Sequence, residues 1–487
     1  MIFCILMSKN LSKSKYMLGL ESDALLWLKV NDPSSFPKPG AALECRFEEG
    51  FAVESLARTL FNGVDLSGLD FQSNILKTKL TVENRSVIFE AGFLESNLYS
   101  RSDVLVPCED GSWDLFEIKA STKVKDSHIK DLAFQKHVLE LSGLKINSCS
   151  VILLDRDYVR GDDLDVRRLF KFVDLSDEVD EDIVGIERRI KRMFDVIDLP
   201  QCPAFDFHDI PKSEYGNHLI DEFLENEPSD SVFNLYRLGK QKAISLIDEG
   251  FPTMSSVPGF IKLSSKQAIQ VDVTNSNSVH VDEGSIKDFL GSISYPIYHL
   301  DFETFSDAIP KFKNSRAYDQ IPFQYSLHIE CESGEIEHRE FLYEGKGDPR
   351  PSFLESLMRD LIGARSILVY YQSFEISRLN ELAEYFPEHA SWISDAISKI
   401  VDLIVPFRNF WYYNPKQRGS CSIKDVLPLF CDKSHQALNI KNGEEASFVY
   451  KKNFGSLSSG VKKDLLAYCE LDTEGMIYIL RGLRSLV

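Results

Sequence analysis

The stretch that most constrains this chain is Tyr295-Pro-Ile-Tyr-His-Leu-Asp-Phe-Glu-Thr304. An apolar run bounded by Ser and Pro that closes on two acids predicts a buried strand. Alternate side chains on a strand point the same way, so Asp301 and Glu303 project side by side. Carboxylates held that close repel unless a cation lies between them. A hard divalent ion, Mg²⁺ or Mn²⁺, is what carboxylate oxygens select. The alternative is an exposed strand end that happens to carry two acids.

Length and charge narrow the partners. The 487 residues are 43% hydrophobic, enough for two to four domains with sizeable cores. A net charge of −20 excludes a general polyanion binder, so nucleic acid must be met through local basic patches or bound cations. None of the nine cysteines forms a C-x-x-C pair, which points to reduced thiols and a cytoplasmic protein. The opening Met1–Met7 lacks the basic flank of a signal peptide, and Met7 is an alternative start. No apolar run is long enough to span a bilayer, so no membrane association is expected.

After a basic segment, Lys9–Lys15, the front half predicts helices at Tyr16–Lys29 and Ala52–Leu60. Strands follow at Val87–Phe93, Leu98–Val106 and Trp113–Ala120, then a helix at Asp126–Ser142 and a strand at Ile146–Leu154. Glu117 and Lys119 share a strand face, and a hairpin brings Asp103 beside them. Asp103 with Glu117 can hold a metal, while Lys119 orients a water or neutralises developing charge. Asp131 and Gln135 share a helix face. Ser121, Lys123 and Lys125 suit a phosphate backbone. The plain alternative is that Glu-Ile-Lys is ordinary cross-strand charge pairing.

The arrangement of Asp103, Glu117, Lys119 and Gln135 resembles the RecB-like branch of the PD-(D/E)XK nucleases. That resemblance implies a metal-dependent DNA-cutting site. Its frequent metal-binding His is absent from Gly50–Arg58, where only Glu54 stands, and Leu139 occupies a position often aromatic. Many relatives also carry an iron–sulfur cluster. Here Gly19–Trp27 has no Cys and Pro200–Asp209 has only Cys202, so no cluster is expected.

The middle of the chain reads as a charged helix over 175–195, a loop-rich span over 196–230 and a helical connector through Ser231–Met254. A Gly-spaced helix pair there faintly suggests a helix-hairpin-helix element, and a simple connector is the plainer reading. Thr274–Glu283 is polar enough to predict a surface loop.

From Tyr295 onward the pattern is three strands in a meander, a helix, a strand at Ser366–Tyr371 and further helices, the order of an RNase H-like fold. Glu375 falls in the first turn of a helix, where the dipole favours a carboxylate. Tyr468 and Asp472 share one face of a long helix over Val461–Leu483. Asp301, Glu303, Glu375, Tyr468 and Asp472 together resemble the Tyr-type DEDD exonucleases, with Glu375 in place of the usual third Asp. The resemblance implies two-metal hydrolysis of a phosphodiester, with Tyr468 orienting or deprotonating the attacking water. Gln324, His328, Arg350 and Lys424 are candidates to touch substrate or to be structural partners. Asp402 is either a further cleft acid or a loop cap.

More widely, Leu300–Thr304, Ile309–Phe312, Ile321–His328, Asp348–Arg350, Val401–Leu403, Ser422–Pro428 and Tyr468–Thr473 resemble bacterial domain-of-unknown-function family 2779. Its members pair a RecB-like front half with an RNase H-like back half. The expectation is therefore an α/β, multi-domain chain. It would hold a PD-(D/E)XK domain over 1–210, a helical connector over 211–292 and an RNase H-like domain over 293–487. The implied function is an Mg²⁺- or Mn²⁺-dependent nuclease in bacterial DNA processing or defence, acting on DNA in preference to RNA. The competing reading is a nucleic-acid-binding scaffold with one or both sites inactive.

Overall fold

The structure is a computed structural model that describes residues 10–38, 40–205, 215 and 227–487. The readings of Met1–Met7, and the parts of 200–209 and 196–230 beyond residue 205 and before residue 227, lie outside the described residues apart from residue 215. The chain is mixed α/β and multi-domain. One compact unit comprises residues 1–223 with 307–319, and the other comprises residues 224–306 with 320–487. Among the described residues, no helix is long and apolar enough to cross a membrane.

The first unit is a seven-stranded sheet with helices. Strands β1 (Leu11–Ser12), β2 (Val64–Asp65), β3 (Ile88–Glu95), β4 (Leu98–Pro107), β5 (Trp113–Lys119), β6 (Ile146–Leu154) and β7 (Phe170–Asp174) take the order β2-β3-β4-β5-β6-β7, with β1 beside β4. The β3-β4-β5 meander is antiparallel, and β5 pairs parallel with β6. That parallel step needs a crossover, supplied by α5 below. The longer helices are α1 (Lys13–Glu21), α2 (Asp23–Asn31), α3 (Ala41–Arg58), α4 (Phe71–Glu83), α5 (Asp126–Leu141), α6 (Ser176–Ile183) and α7 (Ile186–Ile197). Leu132, Phe134, Val138 and Leu139 of α5 are buried with Leu115, Val151 and Leu153 of the sheet. Burying four such side chains contributes about 1.5–3 kcal/mol each. Leu139 is a core residue.

Two expected helices are each broken in two. Tyr16–Lys29 is interrupted at Ser22, whose extended backbone and hydroxyl, accepting from Leu25 N, start α2 afresh. The span 175–195 is interrupted at Val184-Gly185, with Gly185 capping α7. In the other direction, the helix expected over Ala52–Leu60 begins eleven residues earlier, at Ala41.

In the second unit, α8 (Lys240–Asp248), α9 (Ser265–Ser276) and α10 (Glu283–Gly291) precede a five-stranded sheet. The surface loop expected over Thr274–Glu283 is instead the end of α9, the strand β8 (His280–Val281) and the start of α10. Two residues are too few to show alternation, and β8 is held by antiparallel pairing with the distant strand β14 (Tyr412–Tyr413), at Val281↔Tyr412 and His280↔Tyr413. The main sheet runs β11 (Ile336–Leu342), β10 (Ile321–Glu330), β9 (Ile297–Phe305), β12 (Ser366–Val369), β13 (Ile400–Asp402). Strands β9, β10 and β11 are mutually antiparallel, while β9, β12 and β13 are parallel. Tyr298, Leu300 and Phe302 pack one face of β9 against α11 (Arg350–Asp360), α12 (Ser373–Tyr385) and α13 (Ala390–Ser398). The opposite face carries His299, Asp301 and Glu303 toward α14 (Gly443–Lys452) and α15 (Ser459–Arg484).

Candidate functional site

The second unit gathers five of the predicted residues around one cleft. Asp301 and Glu303 lie opposite Ser326 and Gln324 of β10, so both acids leave the same sheet face. Glu375 is the third residue of α12, the helix that follows β12, the parallel neighbour of β9, and is buried. Tyr468 and Asp472 stand one turn apart on α15, both buried. Asp301, Glu303, Glu375, Tyr468 and Asp472 all line a cavity of about 270 Å³, with Tyr370, Tyr371 and Lys424 on its wall.

Its electrostatics are dominated by burial and by crowded acids. Burial, then Asp472, Glu303 and Glu375, push the Asp301 carboxyl well above its ordinary value. Burial and Asp472 do the same to Glu303, against a modest pull from Lys424. Burial raises Glu375 to about 8, and one of its oxygens, Oε2, is buried without a hydrogen-bond partner. Among the described residues no lysine or arginine forms an ion pair with Asp301, Glu303 or Glu375. Burying an unpaired carboxylate costs several kcal/mol, so these groups either hold protons or hold cations. The donor set is all oxygen and fits Mg²⁺ or Mn²⁺.

His435 was not singled out from the sequence. Its Nε2 lies 2.8 Å from Asp472 Oδ1, its ring meets that of Tyr468 edge-on at 5.8 Å, and it is buried. The imidazole fixes the direction of the Asp472 carboxylate. Buried Cys469 brings its Sγ within 3.5 Å of Asp301 Oδ2.

The other polar candidates divide between wall and framework. Lys424 lines the cavity. Gln324 donates from Nε2 to Leu465 O at 2.8 Å and so ties β10 to α15. Arg350 grips Asp348 through Nε and Nη2 and lies over the Tyr385 ring at 3.9 Å. Asp402 is a cap, its Oδ1 accepting from Tyr371 N at 2.8 Å and Ile404 N at 3.2 Å. His328 Nδ1 meets the Thr473 hydroxyl at 2.8 Å.

The first unit also brings its predicted residues together. Lys119 Nζ reaches Glu117 Oε1 at 2.7 Å and Asp131 Oδ2 at 2.6 Å. Gln135 Nε2 donates to Glu117 Oε2 at 2.7 Å and Asp131 Oδ1 at 2.9 Å. Asp103 Oδ2 accepts from Ile118 N at 2.8 Å. Glu54 of α3 is grouped with Glu90 and Asp103 and paired with Arg58. Burial and the Asp103 charge raise Glu54 to about 8. Burial, Asp103 and Asp131 raise Glu117 to about 7.

One residue changes the character of this second centre. β1 pairs with the start of β4 at Leu11↔Leu98 and Ser12↔Tyr99, which delivers the next residue, Lys13, into the acids. Its ammonium lies 2.8 Å from Glu117, 3.7 Å from Asp131 and 3.9 Å from Asp103. With Lys119, two protein cations already offset most of the charge of the three carboxylates. These residues do not fit a divalent ion while Lys13 is in place.

Residues 298–422 match the family described as Domain of unknown function (DUF2779). Among curated proteins the chain is similar to the uncharacterized protein UU173 of Ureaplasma parvum. The two are 24% identical over 238 residues, which is 44% of this chain and 34% of that protein. It is also similar to the uncharacterized protein MG366 of Mycoplasma genitalium, 24% identical over 279 residues, 52% of this chain and 41% of that protein. The chain thus spans less than half the length of these curated relatives. The family match runs from β9 through β13 and so takes in Asp301, Glu303 and Glu375.

Proposed function

We propose that this chain is a metal-dependent nuclease whose working centre is the Asp301–Glu303–Glu375–Asp472 cleft. The observation that carries the reading is four carboxylates converging on one cavity, three of them buried, with no lysine or arginine ion pair to Asp301, Glu303 or Glu375 among the described residues. The strand order, a three-stranded antiparallel meander continued by two parallel strands, supports an RNase H-like domain. Such a domain places its acids on the first, central strand, where Asp301 and Glu303 stand. The meander followed by a helix and parallel strand in the first unit supports a PD-(D/E)XK-type domain in the same way.

Bound divalent ions would supply the hydroxide nucleophile and charge stabilisation for phosphodiester hydrolysis. Asp301, Glu303, Glu375 and Asp472 are the residues that would hold them. Tyr468 keeps its proton at neutral pH, since burial and the surrounding acids raise its hydroxyl well above the usual range. That favours a role as the hydrogen-bond donor that would orient the attacking water. Lys424 offers a positive charge on the wall for a substrate phosphate. DNA is the proposed substrate in preference to RNA.

For the first unit, Lys13 favours a second reading, an inactive site that grips nucleic acid. Exposed Lys123 and Lys125 ahead of α5 suit that grip. The test is hydrolysis of end-labelled single- and double-stranded DNA and RNA with Mn²⁺. Asp301→Asn is expected to lower the rate at least about a thousandfold, and Glu117→Gln to leave product formation largely intact. Binding of every substrate with no cleavage by the parent protein would leave the scaffold reading in its place.

A further inference from the structure

Beside the acidic cleft, on the same sheet face, three side chains form a second and chemically different ligand set. His328 of β10 lies directly opposite His338 of β11 in the antiparallel register, with the rings stacked 4.3 Å apart. Glu470 of α15 faces them, its Oε1 3.8 Å from His338 Nδ1. One ligating atom from each residue falls within 4.8 Å of the other two.

A chain of hydrogen bonds sets both imidazole tautomers. The Thr473 hydroxyl lies 3.1 Å from the Glu470 carbonyl oxygen, which can only accept, so the Thr473 proton goes there. Thr473 Oγ1 must then accept from Ser326 Oγ at 2.7 Å and from His328 Nδ1 at 2.8 Å. Ser326 has thereby used its proton, so it accepts from His338 Nε2 at 3.0 Å. Lone pairs are left on His328 Nε2 and His338 Nδ1. Outer partners that protonate one ring nitrogen and free the other are what ligating histidines carry. Burial, with His338, His299 and Lys433 nearby, lowers His328 to about 3, so its ring is neutral. The Lys433 charge is engaged by Glu474 at 2.6 Å.

We infer that His328, His338 and Glu470 form a binding site for a borderline divalent transition ion of the zinc type. Two imidazole nitrogens and one carboxylate suit such an ion, with the fourth tetrahedral position open to water. Tetrahedral ligands around zinc stand about 3.4 Å apart, so binding requires the half-exposed Glu470 to swing in and the partly exposed His338 ring to turn out of its near-parallel stack with His328. Occupied, the site pins β10 and β11 to α15, the helix that carries Tyr468 and Asp472. This inference does not depend on the nuclease reading.

The test uses the full chain with Asp301→Asn and Glu303→Gln to silence the acidic cleft, stripped of metal by a chelator. Zn²⁺ is titrated against a chromophoric competitor, and Co²⁺ is followed by its visible absorption. One tight equivalent is expected, with tetrahedral Co²⁺ bands and a rise in Tm. His338→Gln, at a partly exposed position, should weaken Zn²⁺ at least about tenfold and remove the Co²⁺ bands. His328→Gln should do the same, and Glu470→Gln should weaken binding less. Unchanged zinc affinity in His338→Gln, or Co²⁺ bands that survive it, would overturn the assignment.

Discussion

Lys13 is the residue whose placement most alters what this chain can do. Its ammonium is about a quarter exposed, yet it meets a Glu117 that is almost fully buried. Removing it leaves Glu117, Asp103 and Asp131 with Lys119 alone. Lys13→Met should therefore cost on the order of 3 kcal/mol of stability, the usual penalty for unpairing a buried charge. The same change opens the site to a cation. In an Asp301→Asn background, Lys13→Met is expected to bind Mn²⁺ at least about tenfold more tightly than its parent, a shift of about 1.4 kcal/mol. Added Mn²⁺ should also restore much of the lost Tm. Calorimetric titration that shows equal Mn²⁺ uptake with and without Lys13 would sink this account. Residues such as Lys13 and His435 were not legible as site residues, because each reaches its partners across a separation no local pattern records, 104 residues from Lys13 to Glu117. Asp301 and Glu303 were legible because strand alternation alone puts them on one face.

At the scale of elements, the long helix α15 shows how packing overrides local propensity. Gly482 sits inside it, where alanine would ordinarily gain about 1 kcal/mol of helix stability. A Cβ there would meet Phe430 Cδ1 at 2.0 Å, and that ring packs against Phe407 and Tyr412. Gly482→Ala is thus expected to destabilise the second unit by about 1–3 kcal/mol, read as a lower midpoint in urea. A raised midpoint would mean that Phe430 swings away freely. The helix itself was legible from its length and periodicity, as were β3 to β6, β9 to β11 and α5, where long segments carry strong alternation or a clear apolar face. The breaks at Ser22 and Gly185 were not, since a capping hydroxyl or a single glycine leaves the hydrophobic period intact on either side. Strand β8 was illegible for another reason: its two residues are ordered by Tyr412 and Tyr413, not by anything in their own neighbourhood.

For the molecule as a whole, a net charge of −20 and two buried acid clusters make stability a function of pH and of bound cation together. Glu375 at about 8 and Glu117 at about 7 both stand above the ordinary carboxylate value near 4.5. Between those values the folded chain keeps protons that the unfolded chain has released, so stability falls as pH rises through the window from about 4.5 to 8. Asp131 works in the opposite sense: burial opposes it, but Lys119 and Lys13 hold it below its ordinary value, and its contribution is lost in acid. The chelator-treated protein should therefore have its highest Tm on the mildly acidic side and lose stability toward pH 8. Divalent ions bind the deprotonated carboxylates and stabilise whichever state binds them. Mn²⁺ should accordingly raise Tm more at pH 8 than at pH 5.5, and flatten the profile. Glu375→Gln should flatten it as well without metal, because the titrating group is gone. Thermal scans from pH 5 to 8.5, with chelator and with Mn²⁺, decide the matter. If Mn²⁺ raised Tm equally at both ends, the acids of the second unit would not be the groups that hold it.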